Sequence, residues 1–247
     1  MNNMQDTTNL IADKSLIKGL LFDKDGTLFD YQTTWGPWAQ KFIAHLSKGN
    51  SSLEVELADA FEFDLATGRF LTHSHFIADT PEQVFDSVLS VVKGISHDEL
   101  EAIYYESTSV ATLIPPVPLG PLLEQFSSGG LKLGIATNDH EEAAYGQLRS
   151  AEVVSHFDFI AGFNSGFGAK PEPGMQLAFC DATGLKPENV AMVGDSTHDL
   201  ESGRRANMST IGVLTGMATR EELAPYATVV LNHIGEIPDW LEMATVG

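Results

Sequence analysis

Short apolar runs that stop at polar turn residues, with stretches of helical spacing between them, constrain this chain more than any other feature. Residues 18–22 (KGLLF) stop at Asp23 and are soon followed by Gly26. Similar runs recur at 131–136 (LKLGIA), 157–163 (FDFIAGF), 190–193 (VAMV), 210–214 (TIGVL) and 229–231 (VVL). They are apolar along most of their length rather than alternating, as strands covered on both faces are. Helical patterns fill the gaps at 140–151, 173–183, 199–206 and 220–223. Parallel strands need a long crossover connection, which strand alternating with helix supplies. The expected fold class is α/β, a doubly wound, mainly parallel sheet of Rossmann-like type.

Residues 30–115 break that rhythm and read as several helices. Trp35, Trp38, Phe42 and Leu46 recur at spacings of three and four, along one helical stripe. Further apolar sets follow near 57–63, 84–92 and 100–104, and the Pro-rich stretch 114–121 (IPPVPLGP) ends the region and leads back towards the sheet. The expectation is an α/β core built from residues 1–29 and 116–247, with 30–115 an inserted helical domain.

Charge and cysteine content narrow the partners. The 14 Lys and Arg stand against 34 Asp and Glu, a formal net charge of -20. Nucleic acid and anionic membrane surfaces are polyanions, so neither is expected as a partner. An anionic substrate would need a metal ion or a few local cations. Cys180 is the single cysteine, which excludes an intrachain disulfide and a cysteine-rich metal site. It sits in an apolar helical pattern and is expected to be a buried structural thiol. The first 15 or so residues are polar and lack the basic start and apolar run of a signal peptide. No stretch is long and apolar enough for a bilayer, so a cytoplasmic location is expected.

In an open parallel sheet, functional groups gather beyond the carboxyl ends of the strands. Here those ends carry Asp23, Lys24, Asp25 and Gly26; Thr137, Asn138 and Asp139; and Asp195 with Asp199 one turn on. Lys170 lies in the Gly-rich loop after the third run. Carboxylates held close together repel one another, and a hard divalent cation with oxygen ligands relieves that. A carboxylate beside such an ion can attack phosphorus, and a lysine, a hydroxyl and backbone N–H groups can hold the phosphoryl oxygens.

These residues fall in four ordered motifs: DKDGT at 23–27, TN at 137–138, KPEP at 170–173 and GDSTHD at 194–199. In this the chain resembles the haloacid dehalogenase-like hydrolases over residues 17–216, most of all their phosphoglycolate phosphatase branch with a helical cap. The resemblance implies a magnesium-dependent phosphatase acting on a small phosphorylated metabolite, with 2-phosphoglycolate the favoured substrate. It makes Asp23 the nucleophile and a metal ligand. Asp25 would be the acid that protonates the leaving oxygen and then the base that activates water, its backbone carbonyl also binding Mg2+. A carboxyl group among other acids can hold a proton near neutral pH, which suits that task. Thr137 and the Asn138 N–H would bind phosphate oxygens, Lys170 would neutralise charge, Asp195 would complete the metal site, and Asp199 would orient it from behind.

Two positions depart from the branch. Lys24 replaces a residue that is more often apolar; its side chain either touches substrate or points into solvent, and solvent is the favoured reading. Asn207 stands where glycine is usual, and Asn tolerates the left-handed backbone of a helix end. Within the insert, Arg69 is the candidate to grip a substrate carboxylate through its bidentate fork. His73 and His75 do not share a helix face and have no evident third ligand, so they are read as structural or surface residues. A phosphosugar mutase of the same superfamily and a silent sensor of phosphorylated metabolites are the alternatives. Asp25 argues against a dehalogenase or a phosphonatase, whose motifs lack that acid. Nothing in the sequence chooses between a monomer and a homodimer.

Overall fold

The computed structural model describes residues 14–72, 74 and 80–243. The polar leader before Lys14 and the pair His73 and His75 lie outside the described residues. In chain order the elements are β1 (Gly19–Phe22), α1 (Tyr31–Ser47), α2 (Ser51–Ala60), β2 (Phe63–Asp64), β3 (Arg69–Phe70), α3 (Pro81–Val91), α4 (His97–Ser109) and α5 (Leu119–Ser128). There follow β4 (Lys132–Ala136), α6 (Glu141–Ser150), β5 (Phe159–Ala161), α7 (Gly174–Thr183), β6 (Val190–Gly194), α8 (Thr197–Arg205), β7 (Ser209–Val213), α9 (Arg220–Leu223), β8 (Val229–Leu231) and α10 (Ile237–Trp240).

The large sheet has six strands in the order β5-β4-β1-β6-β7-β8, every neighbouring pair parallel. β1 is central, and all four of its residues are buried. Successive side chains of a strand point to opposite faces. Accordingly Leu20 and Phe22 join one apolar cluster with Ile135, Leu123 and Phe126, while Leu21 joins the other with Met175, Phe179 and Met192. Burial on both faces accounts for the apolar runs of the sequence. Phe22 pairs with Ile135 on one side and Val193 on the other, so the carboxyl ends of β1, β4 and β6 lie almost level. Cys180 is buried in the second cluster, and burial pushes its thiol up to about 11. Asn207 takes the left-handed backbone, φ 61°, just after α8.

The helices α1 to α4 enclose an apolar cluster of their own. Trp35, Trp38, Phe42 and Leu46 of α1 point into it with Leu57, Phe61, Phe85 and Leu100. The Trp38 and Phe42 rings stack with centroids 4.9 Å apart. Asp30 caps α1 by accepting from the Thr33 N–H at 2.9 Å, and Ser96 and Glu99 form a reciprocal capping box on α4. These contacts fix where α1 and α4 begin, and both helices reach the site described below.

Two features differ from the sequence expectation. The insert is not wholly helical, because β2 and β3 pair antiparallel, Phe63 opposite Phe70 and Asp64 opposite Arg69. Two-residue strands are too short to express a period-two pattern. The turn between them is held locally: Asp64 accepts from the Ala66 N–H at 2.9 Å and the Thr67 hydroxyl at 2.7 Å, and Gly68 takes φ +67°. The Pro-rich stretch also runs straight into α5, whose Leu119, Leu122, Leu123 and Phe126 form a buried stripe. Pro121 sits in the first turn, where its missing N–H costs no helix bond.

Phe42 is 2% exposed in the middle of the insert's cluster. Phe42→Ala is expected to destabilise the protein by about 3–5 kcal/mol; thermal or denaturant unfolding checks this.

Candidate active site

The level strand ends bring the motif residues into one cleft. Asp23 follows β1, Thr137, Asn138 and Asp139 follow β4, Lys170 lies in the loop between β5 and α7, and Asp195 follows β6, with Asp199 in the first turn of α8. All of them line a cleft with about 680 Å³ of atom-free space, part of it open to solvent. The insert supplies the opposite wall through Tyr31 and Trp35 of α1, Pro81 of α3, and Tyr104 and Thr108 of α4.

Lys170 ties the acids together. Its Nζ donates to Asp23 Oδ1 at 2.5 Å and to Asp199 Oδ1 at 2.6 Å. Burial works against the Lys170 ammonium, but Asp199 and Asp23 outweigh it and raise its pKa. Asn138 holds this lysine by the backbone: its Nδ2 donates to the Lys170 carbonyl at 3.1 Å, and its Oδ1 accepts from the Lys170 N–H at 2.8 Å. The Asn138 side chain thus links two motifs, a role that the sequence expectation had not assigned to it. The other Asp199 oxygen accepts from the Ser196 N–H at 3.0 Å and its hydroxyl at 2.7 Å. Asp199 is therefore both a helix cap and a partner of the site lysine.

Asp23, Asp195 and Asp199 present carboxylate oxygens that all lie within 4.8 Å of one another. Asp195 Oδ1 accepts from Thr27 Oγ1 at 3.3 Å, whereas its Oδ2 is buried without a hydrogen-bond partner. Backbone closes round that oxygen. A Cβ on Gly216 would stand 1.7 Å from it and one on Gly26, where φ is +82°, 2.4 Å away, so neither position accepts a side chain. Burial pushes Asp23 up to about 7 despite the pull of Lys170, with Asp199 and Asp25 adding to the rise. Burial, then Asp199 and Asp23, hold Asp195 well above the carboxylate range. An all-oxygen donor set with an unsatisfied buried carboxylate suits a hard divalent cation. Both Asp199 oxygens are engaged by protein donors, which leaves Asp23 and Asp195 as the more available side chains.

Lys24 does not reach solvent as expected. It is 0% exposed, and its Nζ contacts Asp25 Oδ2, lies 3.4 Å from Asp139 Oδ2, and sits 5.8 Å from the Trp35 ring centroid. Burial opposes its charge, yet Asp25 and Asp139 outweigh burial and raise its pKa. Trp35 Nε1 donates to the other Asp25 oxygen at 2.9 Å, so Asp25 is held from both sides. The signal for this was a lysine in an apolar slot between two acids, which only the tertiary arrangement supplies with a third. Asp139 was named at its strand end but given no role, and Tyr31, Trp35, Tyr104 and Thr108 were not singled out as site residues, because the pattern that placed Trp35 on α1 identified only a buried stripe.

Arg69 was expected to face the site, and the structure places it elsewhere. In β3 Phe70 points inward and packs 5.3 Å from the Tyr31 ring, while Arg69 on the alternate face is exposed and does not line the cleft.

With this geometry in hand, the chain can be set beside known proteins. It is 34% identical over 109 residues to a probable phosphatase, IndB, of Dickeya dadantii, a match spanning 44% of this chain and 47% of that protein. It is 27% identical over 221 residues to the phosphoglycolate phosphatase of Aquifex aeolicus, covering 90% of each. A Bacteroides fragilis protein assigned to the haloacid dehalogenase-like hydrolases superimposes with a TM-score of 0.70 at 21% identity, covering 90% of this chain and 99% of that one. At that identity the superposition establishes a shared fold. Residues 20–213, from β1 to β7 and through all four motifs, match the family of haloacid dehalogenase-like hydrolases, and the chain belongs to that family.

Proposed function

We propose that this protein is a magnesium-dependent phosphatase that hydrolyses a small organic phosphate monoester through a phosphoryl group carried on Asp23. The observation that carries this reading is the Lys170 ammonium bonded at once to Asp23 and Asp199, beside the unpartnered oxygen of Asp195. That arrangement supplies a nucleophile, a fixed cation and a place for a second one. The names of several relatives, phosphoglycolate phosphatases, agree with it.

Asp23, Asp195 and the backbone carbonyl of Asp25 would hold the metal ion, with Asp199 orienting the site from behind through Lys170. When bound, the ion would neutralise charge on the nucleophile and the phosphoryl oxygens. The remaining chemistry falls to the chain. An oxygen of Asp23 attacks phosphorus as the bond to the leaving oxygen breaks, and Asp25 gives that oxygen its proton. A water then attacks the same phosphorus, giving its proton to Asp25, and the bond to Asp23 breaks to release inorganic phosphate. Lys170, Thr137 and the Asn138 N–H steady the phosphoryl oxygens during both transfers. Lys24 and Trp35 grip both Asp25 oxygens, which fixes where that carboxyl meets the leaving group. Residues 30–115 act as the cap that covers the reaction and limits access of bulk water.

Phosphate release from a panel of small esters, with Mg2+ and then with chelator, tests the reading. Release that depends on Mg2+ is expected; isomerised ester without free phosphate would instead identify a mutase. Asp23→Asn is expected to lower kcat by at least about a thousandfold while its circular dichroism stays that of the wild type. Lys24→Met leaves Asp25 and Asp139 without their shared cation. It is expected to destabilise the fold by about 3–5 kcal/mol and to lower kcat more than it changes KM.

The raised Asp23 pKa has a sign that can be checked. Its folded value of about 7 lies above the unfolded 3.8, so its contribution to stability is complete below 3.8 and is lost as pH rises through 7. Mg2+ competes with those protons. The rise in Tm on adding Mg2+ is therefore expected to be larger at about pH 8 than at about pH 5, as differential scanning fluorimetry would record.

A further inference from the structure

Resting on the phosphatase reading, we propose that the ester's leaving group is uncharged and lays an apolar face against the cap, so that esters with a carboxylate next to the phosphate are poor substrates. The phosphate end of the cleft is accounted for by Asp23, Thr137, Asn138, Lys170 and Asp195. Of the other described lining residues, Tyr31, Trp35, Pro81, Tyr104 and Thr108 form the cap wall, Asp25 and Asp139 lie on the core side, and Ser196, His198 and Asp199 follow Asp195 at the phosphate end.

The cations decide the matter. The chain has 14 Lys and Arg residues, and every one falls among the described residues. Of these, Lys170 alone lines the cleft, and its ammonium is already engaged by Asp23 and Asp199. Lys24 is fully buried and matched to Asp25 and Asp139. Arg69 is exposed on the outer face of its strand. A carboxylate entering the leaving-group end would lose water and find no unpaired Lys or Arg to replace it.

An uncharged group meets the opposite conditions. Aromatic rings and a proline ring offer apolar surface that a hydrocarbon face can cover. Tyr104 keeps its proton, since burial and then Asp139 and Asp25 raise its pKa, and so it remains a donor. A hydroxyl on the leaving group can use the carboxyl oxygens of Asp139, while a carboxylate finds there no cation that is not already paired.

The test compares matched esters on the purified full chain with Mg2+. The pairs are 2-hydroxyethyl phosphate against 2-phosphoglycolate, and phenyl phosphate against 4-carboxyphenyl phosphate. The uncharged member of each pair is expected to have the higher kcat/KM by at least about tenfold, chiefly through a lower KM. Arg69→Ala is expected to leave both ratios unchanged. Equal or reversed preference with steady phosphate release would overturn this inference and leave the phosphatase reading standing. So would a rise in KM confined to the carboxylated esters in Arg69→Ala. No Mg2+-dependent release from any of the four esters would overturn both.

Discussion

Asp23, Asp195 and Asp199 lie almost without solvent at one edge of the sheet, and the charge they would carry at neutral pH is what the surrounding residues answer to. Burial alone pushes carboxyl groups towards the neutral form, and each neighbouring acid pushes further. Lys170 offsets part of this by bonding to two of the three. Its own position depends on the Asn138 amide, which holds the Lys170 backbone at both the N–H and the carbonyl. The sheet register keeps β1, β4 and β6 level, without which a single ammonium could not reach acids from different strands. What the protein leaves uncompensated is one oxygen of Asp195, walled in by backbone at Gly26 and Gly216. Bringing a cation to such a site would relieve the repulsion among its acids.

A second lysine solves a second problem of the same kind. Lys24, placed between two acids of the first motif, turns inward to Asp25 and Asp139, where Trp35 of the insert covers it. The Trp35 N–H bonds the same Asp25 carboxyl from the cap side. Breaking such a buried pair by removing one partner costs far more than the pair contributes in place, because it strands a charge. Core and cap therefore share one polar contact at the residue proposed to move the proton, and the position of α1 bears directly on the geometry of Asp25.

Much of this was legible before any coordinates. Runs such as VAMV before Gly194-Asp195 carry both burial and strand end in a few residues, so the sheet and the acids at its edge could be read together. The stripe of Trp35, Trp38, Phe42 and Leu46 likewise gave α1 its buried face. Local patterns failed where the answer depended on what lies opposite. Lys24 reads as a surface residue until Asp139, over a hundred positions away, supplies a second carboxylate. Arg69 reads as a carboxylate binder until the register of β2 with β3 assigns it to the outer face. The hairpin itself went unread, since strands of two residues have no period to show.

The division between legible and illegible residues follows the division of labour in the site. Phosphoryl transfer makes the same demands whatever the leaving group, so its residues sit at fixed points of the sheet and recur as short motifs that fold-level likeness can identify. The side of the cleft proposed to meet the leaving group is lined by Tyr31, Trp35, Pro81, Tyr104 and Thr108 from three helices of the insert, and no motif ties these together. Likeness across the family therefore carries the chemistry from one member to another, but it does not carry the substrate. That information lies in the charge and shape of the cap wall. Here the wall is largely aromatic, and the only Lys or Arg lining the cleft is bonded to Asp23 and Asp199.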